Sequence, residues 1–201
     1  MILTHEKVTK KQAEAKVISL LQKVGIPDAE NRLSAFPHQF SGGQLQRIMI
    51  AMAIACNPAC LIADEPTTAL DVTIQDQILN LLVDLQKEQD LAILLISHDL
   101  GIVSQFADKV AVMYAGKIVE YGEVNQIFTQ PIHPYTQMLI QSIPTLDMVP
   151  GEKLMTKKDF VSEKGKRRGE LIFDPTNRDD YPFQQIHKGH YVSNTFTKEI
   201  K

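Results

Sequence analysis

Apolar positions in the first part of the chain recur with helical spacing. Ala13, Val17, Leu20, Leu21 and Val24 share one face of a helix predicted over 9–24. Thr9 with Gln12 has the form of a capping box, and Gly25 that of a stop. After a loop with Pro27 and Pro37, a second helix begins near Ser41 and carries Leu45, Ile48, Met49 and Met52. It ends near Asn57-Pro58, because the residue before a proline avoids helical geometry. Residues 73–88 predict another helix, with Ile74, Ile78, Leu81, Leu82 and Leu85 on one face. Two short apolar runs stop abruptly at polar residues: Cys60 to Ala63 at Asp64-Glu65-Pro66, and Leu91 to Ile96 at Ser97-His98-Asp99. Continuous apolar runs flanked by helices predict buried parallel strands, hence an α/β fold. A helix near 100–107 is followed by Val110 to Tyr114 and Lys117 to Glu120, which flank Ala115-Gly116 and read as a tight hairpin. Two short helices come next, the second opening at His133-Pro134. From about 145 the periodicity is lost. Residues 151–170, with KGKRRG at 164–169, read as a solvated loop, and 171–201 hold scattered aromatics with His187 and His190.

Composition adds bounds. The 201 residues are 44% hydrophobic and 22% charged, enough to bury a core without covalent staples. A net charge of -3 gives no support for a nucleic-acid-binding protein, which usually shows a basic domain. Two cysteines, Cys56 and Cys60, are too few for a disulfide framework or a four-thiolate metal site, and suit a reducing compartment. The start has no apolar core of signal-peptide length. The run Ile48 to Ala63 is broken by Asn57-Pro58, and Val124 to Leu146 is studded with Gln, His, Thr and prolines. The chain is therefore not expected to cross a membrane by itself.

Four places carry candidate chemistry. Ser41-Gly42-Gly43-Gln44 reads as a helix start, with Ser41 as N-cap and Gln44 as its capping-box partner. A helix start also presents unpaired N–H groups and partial positive charge, and two glycines there let an anion approach, so the same residues suit a phosphate. Asp64 and Glu65 end an apolar strand. They read either as a surface turn or as two carboxylates at the edge of a parallel sheet, where ligands bind. One can hold Mg²⁺ and the other orient a water for attack on phosphorus. His98 ends the second strand, a place that suits either a structural histidine or a contact to a terminal phosphate. Asp71 reads as N-cap of the 73–88 helix.

In this order and spacing, Phe40 to Gln44, Leu61 to Glu65, Ala69 to Asp71 and His98 resemble the signature, Walker B strand, D-loop and H-loop of an ABC-type ATPase subunit. The stretches MIAMAIACNPACLIADEPTTALDVTIQDQIL, SHDLGIVSQFADKVAVMYAGKIVEYG and HPYTQMLIQSIP look like the ATP-binding subunits of dipeptide and oligopeptide importers, and residues 1–145 are covered almost throughout. The resemblance implies a partial P-loop NTPase (RecA-like) core with a helical signature subdomain and a C-terminal extension. The boundaries it suggests are 1–56, 57–130 and 131–201. It implies that Glu65 positions the attacking water, Asp64 holds Mg²⁺ and His98 contacts the γ-phosphate of ATP. Ser41, Gly42, Gly43 and Gln44 would complete a partner's nucleotide site, with Asp71 in the D-loop beside it. It further implies a second ABC ATPase subunit and transmembrane permeases as partners, no nucleic acid, and a cytoplasmic place on the inner face of the membrane. Many members of that branch carry a C-terminal cysteine cluster for an iron–sulfur centre. No cysteine follows Cys60, so no such cluster is expected.

One part of the family pattern does not occur. A P-loop needs Gly-x-x-x-x-Gly-Lys followed by Ser or Thr. Gly116-Lys117 has Ala111 at the required position and Gly165-Lys166 has Phe160. In the family the P-loop lies before the signature helix, so the chain resembles the second half of such a subunit, and tight ATP binding by it alone is not expected. Three readings follow: an ATPase subunit of a peptide importer represented by part of its chain; a non-enzymatic half or remnant that lends a signature face to a partner; or an ABC ATPase of translation or repair, against which the importer-like 133–144 speaks. Missing strands would leave edges or apolar faces uncovered, and the transported substrate is not readable because it is chosen by other subunits.

Overall fold

The structure is a computed structural model, and it describes residues 1–143 and 183–193. The predicted loop at 151–170 lies outside the described residues. The chain divides into two compact units, Met1–His98 and the residues from Asp99 onward.

The first unit packs helices against one face of a two-stranded sheet. A short α1 (Ile2–His5) leads into α2 (Lys10–Lys23). The Thr9 hydroxyl accepts from the Gln12 backbone N–H, and the Gln12 side chain accepts from that of Thr9, so the expected capping box forms. Gly25 follows with φ +77°, a conformation only glycine adopts without cost. A 3₁₀ turn at Pro37–Gln39 precedes α3 (Gly42–Ile54), then come β1 (Cys60–Asp64), α4 (Val72–Gln89) and β2 (Ala92–Ile96). The core joins Leu21 and Val24 of the α2 end, Ile50 and Ile54 of α3, Leu61 and Ala63 of β1, and Ile78, Leu82 and Leu85 of α4.

The structure orients α3 and corrects one expectation. Met49 and Met52 of α3 stay 54% and 59% exposed, while Ile50, Ala51 and Ile54 are buried. Apolar residues lie almost all round this helix, so period alone does not select its inner side. The strands β1 and β2 are parallel, as expected, with Leu61 opposite Ile93 and Ala63 opposite Leu95. They are not buried on both sides: Ile62, Leu94 and Ile96 are 64%, 53% and 43% exposed on the face turned away from the helices.

The second unit is built on an antiparallel sheet of order β3-β4-β6-β5. It runs α5 (Leu100–Phe106), β3 (Lys109–Tyr114), β4 (Lys117–Glu123), α6 (Val124–Thr129), α7 (Pro134–Gln141), β5 (Phe183–His187) and β6 (His190–Ser193). The hairpin forms at Ala115-Gly116, both with positive φ (48° and 79°), the twist that suits a two-residue turn between strands. Val110, Val112, Val119 and Ile127 make the core. Glu120 is fully buried. Its carboxylate accepts from the N–H groups of Ile132 and His133, and its Oε1 lies 2.8 Å from His190 Nε2, so this acid anchors both the start of α7 and β6. Among the described residues no helix is long and apolar enough to cross a membrane.

Candidate functional site

All the singled-out residues fall in the first unit. The Ser41 side chain caps α3 by accepting from Gln44 N–H at 3.3 Å, and Gln44 Oε1 accepts from Ser41 N–H at 3.1 Å. Leu45 N–H reaches Ser41 O. The N–H groups of Gly42 and Gly43 belong to the first helical turn, which has no acceptor within the helix. The helix start read from sequence is therefore formed, and it presents two donors beside partial positive charge. The same turn packs against the next segment. A Cβ on Gly42 would stand 3.6 Å from Leu70 Cδ2, and one on Gly43 only 2.7 Å from Ile74 Cγ2.

Strand β1 delivers the two acids to its carboxyl end. Asp64 is its last residue, exposed and paired in register with Ile96. Glu65 N–H still donates to Ile96 O at 2.9 Å, extending the ladder by one residue. The chain then leaves the sheet through left-handed backbone at Glu65 (φ 48°) and Ala69 (φ 65°). Such conformations cost a non-glycine residue on the order of 1 kcal/mol or more and gather at functional sites. Asp71 closes this loop as N-cap of α4, accepting from Ile74 N–H at 3.0 Å, the role read from sequence.

Glu65 is held on both carboxylate oxygens. His98 Nδ1 lies 2.7 Å from Oε1, and the Thr68 hydroxyl donates to Oε2 at 3.0 Å. The His98 bond chiefly, with Thr68 adding to it, holds the Glu65 carboxyl below its ordinary range despite some desolvation. Glu65 is thus an oriented anion at the end of one strand, and its clamp comes from the end of the neighbouring strand. The His98 side chain is otherwise 82% exposed. Asp64 directly precedes Glu65 in the chain, and among the described residues no group of three acids, histidines or cysteines gathers as a metal cage.

The structure brings Glu65 together with His98, and the turn at Ser41 to Gln44 together with the segment around Asp71. Two contributors were missed from sequence. Thr68 acts through an i+3 contact that depends on the left-handed turn at Glu65. Arg47 lies one turn into α3 and reaches Val24 O and the Gln77 side chain. A cavity of about 600 Å³ lies elsewhere, among α1, α2 and α3, lined by residues such as Val17, Leu20, Phe40, Ile48 and Met52. It includes none of Ser41 to Gln44 and neither strand end.

Residues 2–68 match the ABC transporter family, and residues 119–166 match the oligopeptide/dipeptide transporter C-terminal region. The dipeptide transport ATP-binding protein DppD of Bacillus subtilis is 58% identical over 147 residues, 73% of this chain and 44% of that protein. DppD of Escherichia coli is 54% identical over 174 residues, 87% of this chain and 53% of that protein. The solved structure of cbiO1 from Clostridium perfringens, part of the ABC transporter complex cbiONQ, is similar with a TM-score of 0.56 at 31% identity, covering 64% of this chain and 50% of that one. The chain thus spans about half the length of the curated relatives it matches. At this identity over most of its residues, the chain is similar to ABC transporter ATP-binding proteins, with residues 2–68 matching that family and residues 119–166 the oligopeptide/dipeptide transporter C-terminal region.

Proposed function

We propose that the chain is the signature- and Walker-B-bearing part of an ATP-hydrolysing subunit that powers ABC-type import of peptides. The observation that carries the proposal is the Glu65–His98 pair, a clamped anion at the carboxyl end of a parallel strand pair. Glu65, ionised and oriented, accepts from and aligns a water for attack on the γ-phosphorus of ATP. His98, beside it, is the group to meet the terminal phosphate. Ser41 to Gln44 offer backbone donors to the phosphates of a nucleotide held by a second ABC subunit, with Asp71 fixing the neighbouring loop. The residues present fit only part of a nucleotide site, because no Gly-x-x-x-x-Gly-Lys cradle occurs in the 201 residues. Asp64 is the residue that would hold Mg²⁺, which would neutralise charge on phosphate oxygens. The proposed partners are a P-loop-bearing ABC polypeptide and membrane-spanning permeases, which place the chain peripherally on the cytoplasmic face. The division into 1–56, 57–130 and 131–201 is part of the same reading. The relatives' names, as dipeptide and oligopeptide transport ATP-binding proteins, support the substrate class.

The test is Glu65→Gln in the assembly purified from its own cells. Turnover is expected to fall by about 10² or more, the usual size of a lost general base. Unchanged turnover would refute the role. A second reading is a non-enzymatic half that lends its signature face to a partner. Copurification of a P-loop-bearing chain whose ATP turnover ignores Glu65→Gln but falls on Ser41→Ala selects it.

A further inference from the structure

Gly43 and Arg47 lie four residues apart on α3, so they share one face of it. Both meet α4. The bare Cα of Gly43 lies against Ile74, so close that a Cβ would sit 2.7 Å from Cγ2. That methyl is fixed to a β-branched carbon and has no easy way to retreat. One turn on, Arg47 forks: Nη1 donates to Val24 O at 2.8 Å and Nη2 to Gln77 Oε1 at 3.0 Å. Val24 is the C-cap of α2, where a cation is favourable. Gly25 leaves room for the fork, because a Cβ there would stand 3.1 Å from Nη1. Ile74 and Gln77 are themselves one turn apart on α4, whose N-cap Asp71 ends the loop that begins at Glu65.

We infer that Gly43 and Arg47 clasp α3 onto α4 and are positioning residues of the signature turn. The N-cap Ser41 fixes the start of the helix, and the clasp fixes where that start points relative to the acid-bearing loop. Gly43 is glycine for the approach of α4 as well as for the approach of an anion. This inference rests on the proposed reading of Ser41 to Gln44 as a phosphate-facing turn.

The test is site-resolved amide hydrogen exchange of the full chain without nucleotide. Gln77→Ala removes one exposed partner and leaves the core alone. It is expected to speed exchange at Leu45 and Gln46 about fivefold, the scale of one lost hydrogen bond, with Leu61 to Ala63 unchanged. Arg47→Ala is expected to do the same and to loosen Val24 to Ile26 as well. Gly43→Ala is expected to speed exchange at Gln44, Leu45 and Gln46, the first bonded N–H groups of α3. Adding Ile74→Leu, which removes the methyl at Cβ while keeping the volume, is expected to restore it. The clasp is overturned if Arg47→Ala acts only at Val24 to Ile26, if Gln77→Ala leaves Leu45 and Gln46 unchanged, or if Ile74→Leu fails to rescue. Because nucleotide is absent, these results stand apart from the turnover of Glu65→Gln. A failed clasp leaves that turnover loss in place, and a failed ATPase reading leaves the exchange pattern in place.

Discussion

Glu65 combines two costs that a surface acid would avoid: left-handed backbone, and a side chain pinned at both oxygens. The pinning favours the ionised form, so the carboxyl titrates below its ordinary 4.5. Its contribution to stability is fully present above that ordinary value and is lost as pH falls through the depressed one. His98→Ala is expected to raise the Glu65 pKa toward the ordinary value. Thr68→Val is expected to raise it less, since the histidine bond is the larger cause. Side-chain carboxyl titration by NMR reads both, and an unmoved Glu65 in His98→Ala would remove the clamp from the argument. At this scale the sequence revealed residue types at strand ends, and hence Glu65, His98 and Asp71. It did not reveal Thr68 or Arg47, because their partners are set by a backbone turn and by a helix crossing that no periodicity announces.

Among the elements, α7 carries the clearest dependence on solution conditions. His133 is its N-cap, buried, with Nδ1 accepting from Tyr135 N–H at 3.1 Å. Burial pushes its pKa down to about 3 from 6.5. The folded form keeps the ring neutral while the unfolded chain takes up a proton below 6.5, so stability falls as pH drops from 6.5 toward 3. Between pH 7 and pH 5 the expected loss is about 2 kcal/mol in the unit that holds α7. Urea midpoints measure it, and His133→Asn, which can still cap, is expected to abolish the slope. A slope unchanged by that substitution would mean that another group titrates. Helices were legible here because their stripes are regular and their caps local: Thr9 with Gln12, Ser41 with Gln44. The hairpin of β5 and β6 was not, although its strands pair through Gln184 with Val192. Its anchor, Glu120 with His190, spans 70 residues of sequence, and neither partner signals the other.

For the whole molecule the telling surface is the outer face of β1 and β2. Parallel strands are ordinarily covered on both sides. Here Ile62, Leu94 and Ile96 lie bare, in a chain that spans about half the length of its curated relatives. The chain alone is expected to self-associate. Ile62→Thr with Leu94→Thr, which keep strand propensity, are expected to raise the monomer fraction in size-exclusion chromatography with light scattering. A monomeric wild type at ordinary concentration would contradict this. The same bare face has a consequence for turnover. Chaperones and proteases act on exposed apolar surface, so wherever these residues are made without a cover for that face, their steady-state amount is expected to depend on how long it stays open. Whatever polypeptide covers Ile62, Leu94 and Ile96 lengthens its half-life, and a pulse-chase of the chain, with and without a candidate companion, becomes a census of assembly that needs neither nucleotide nor transport.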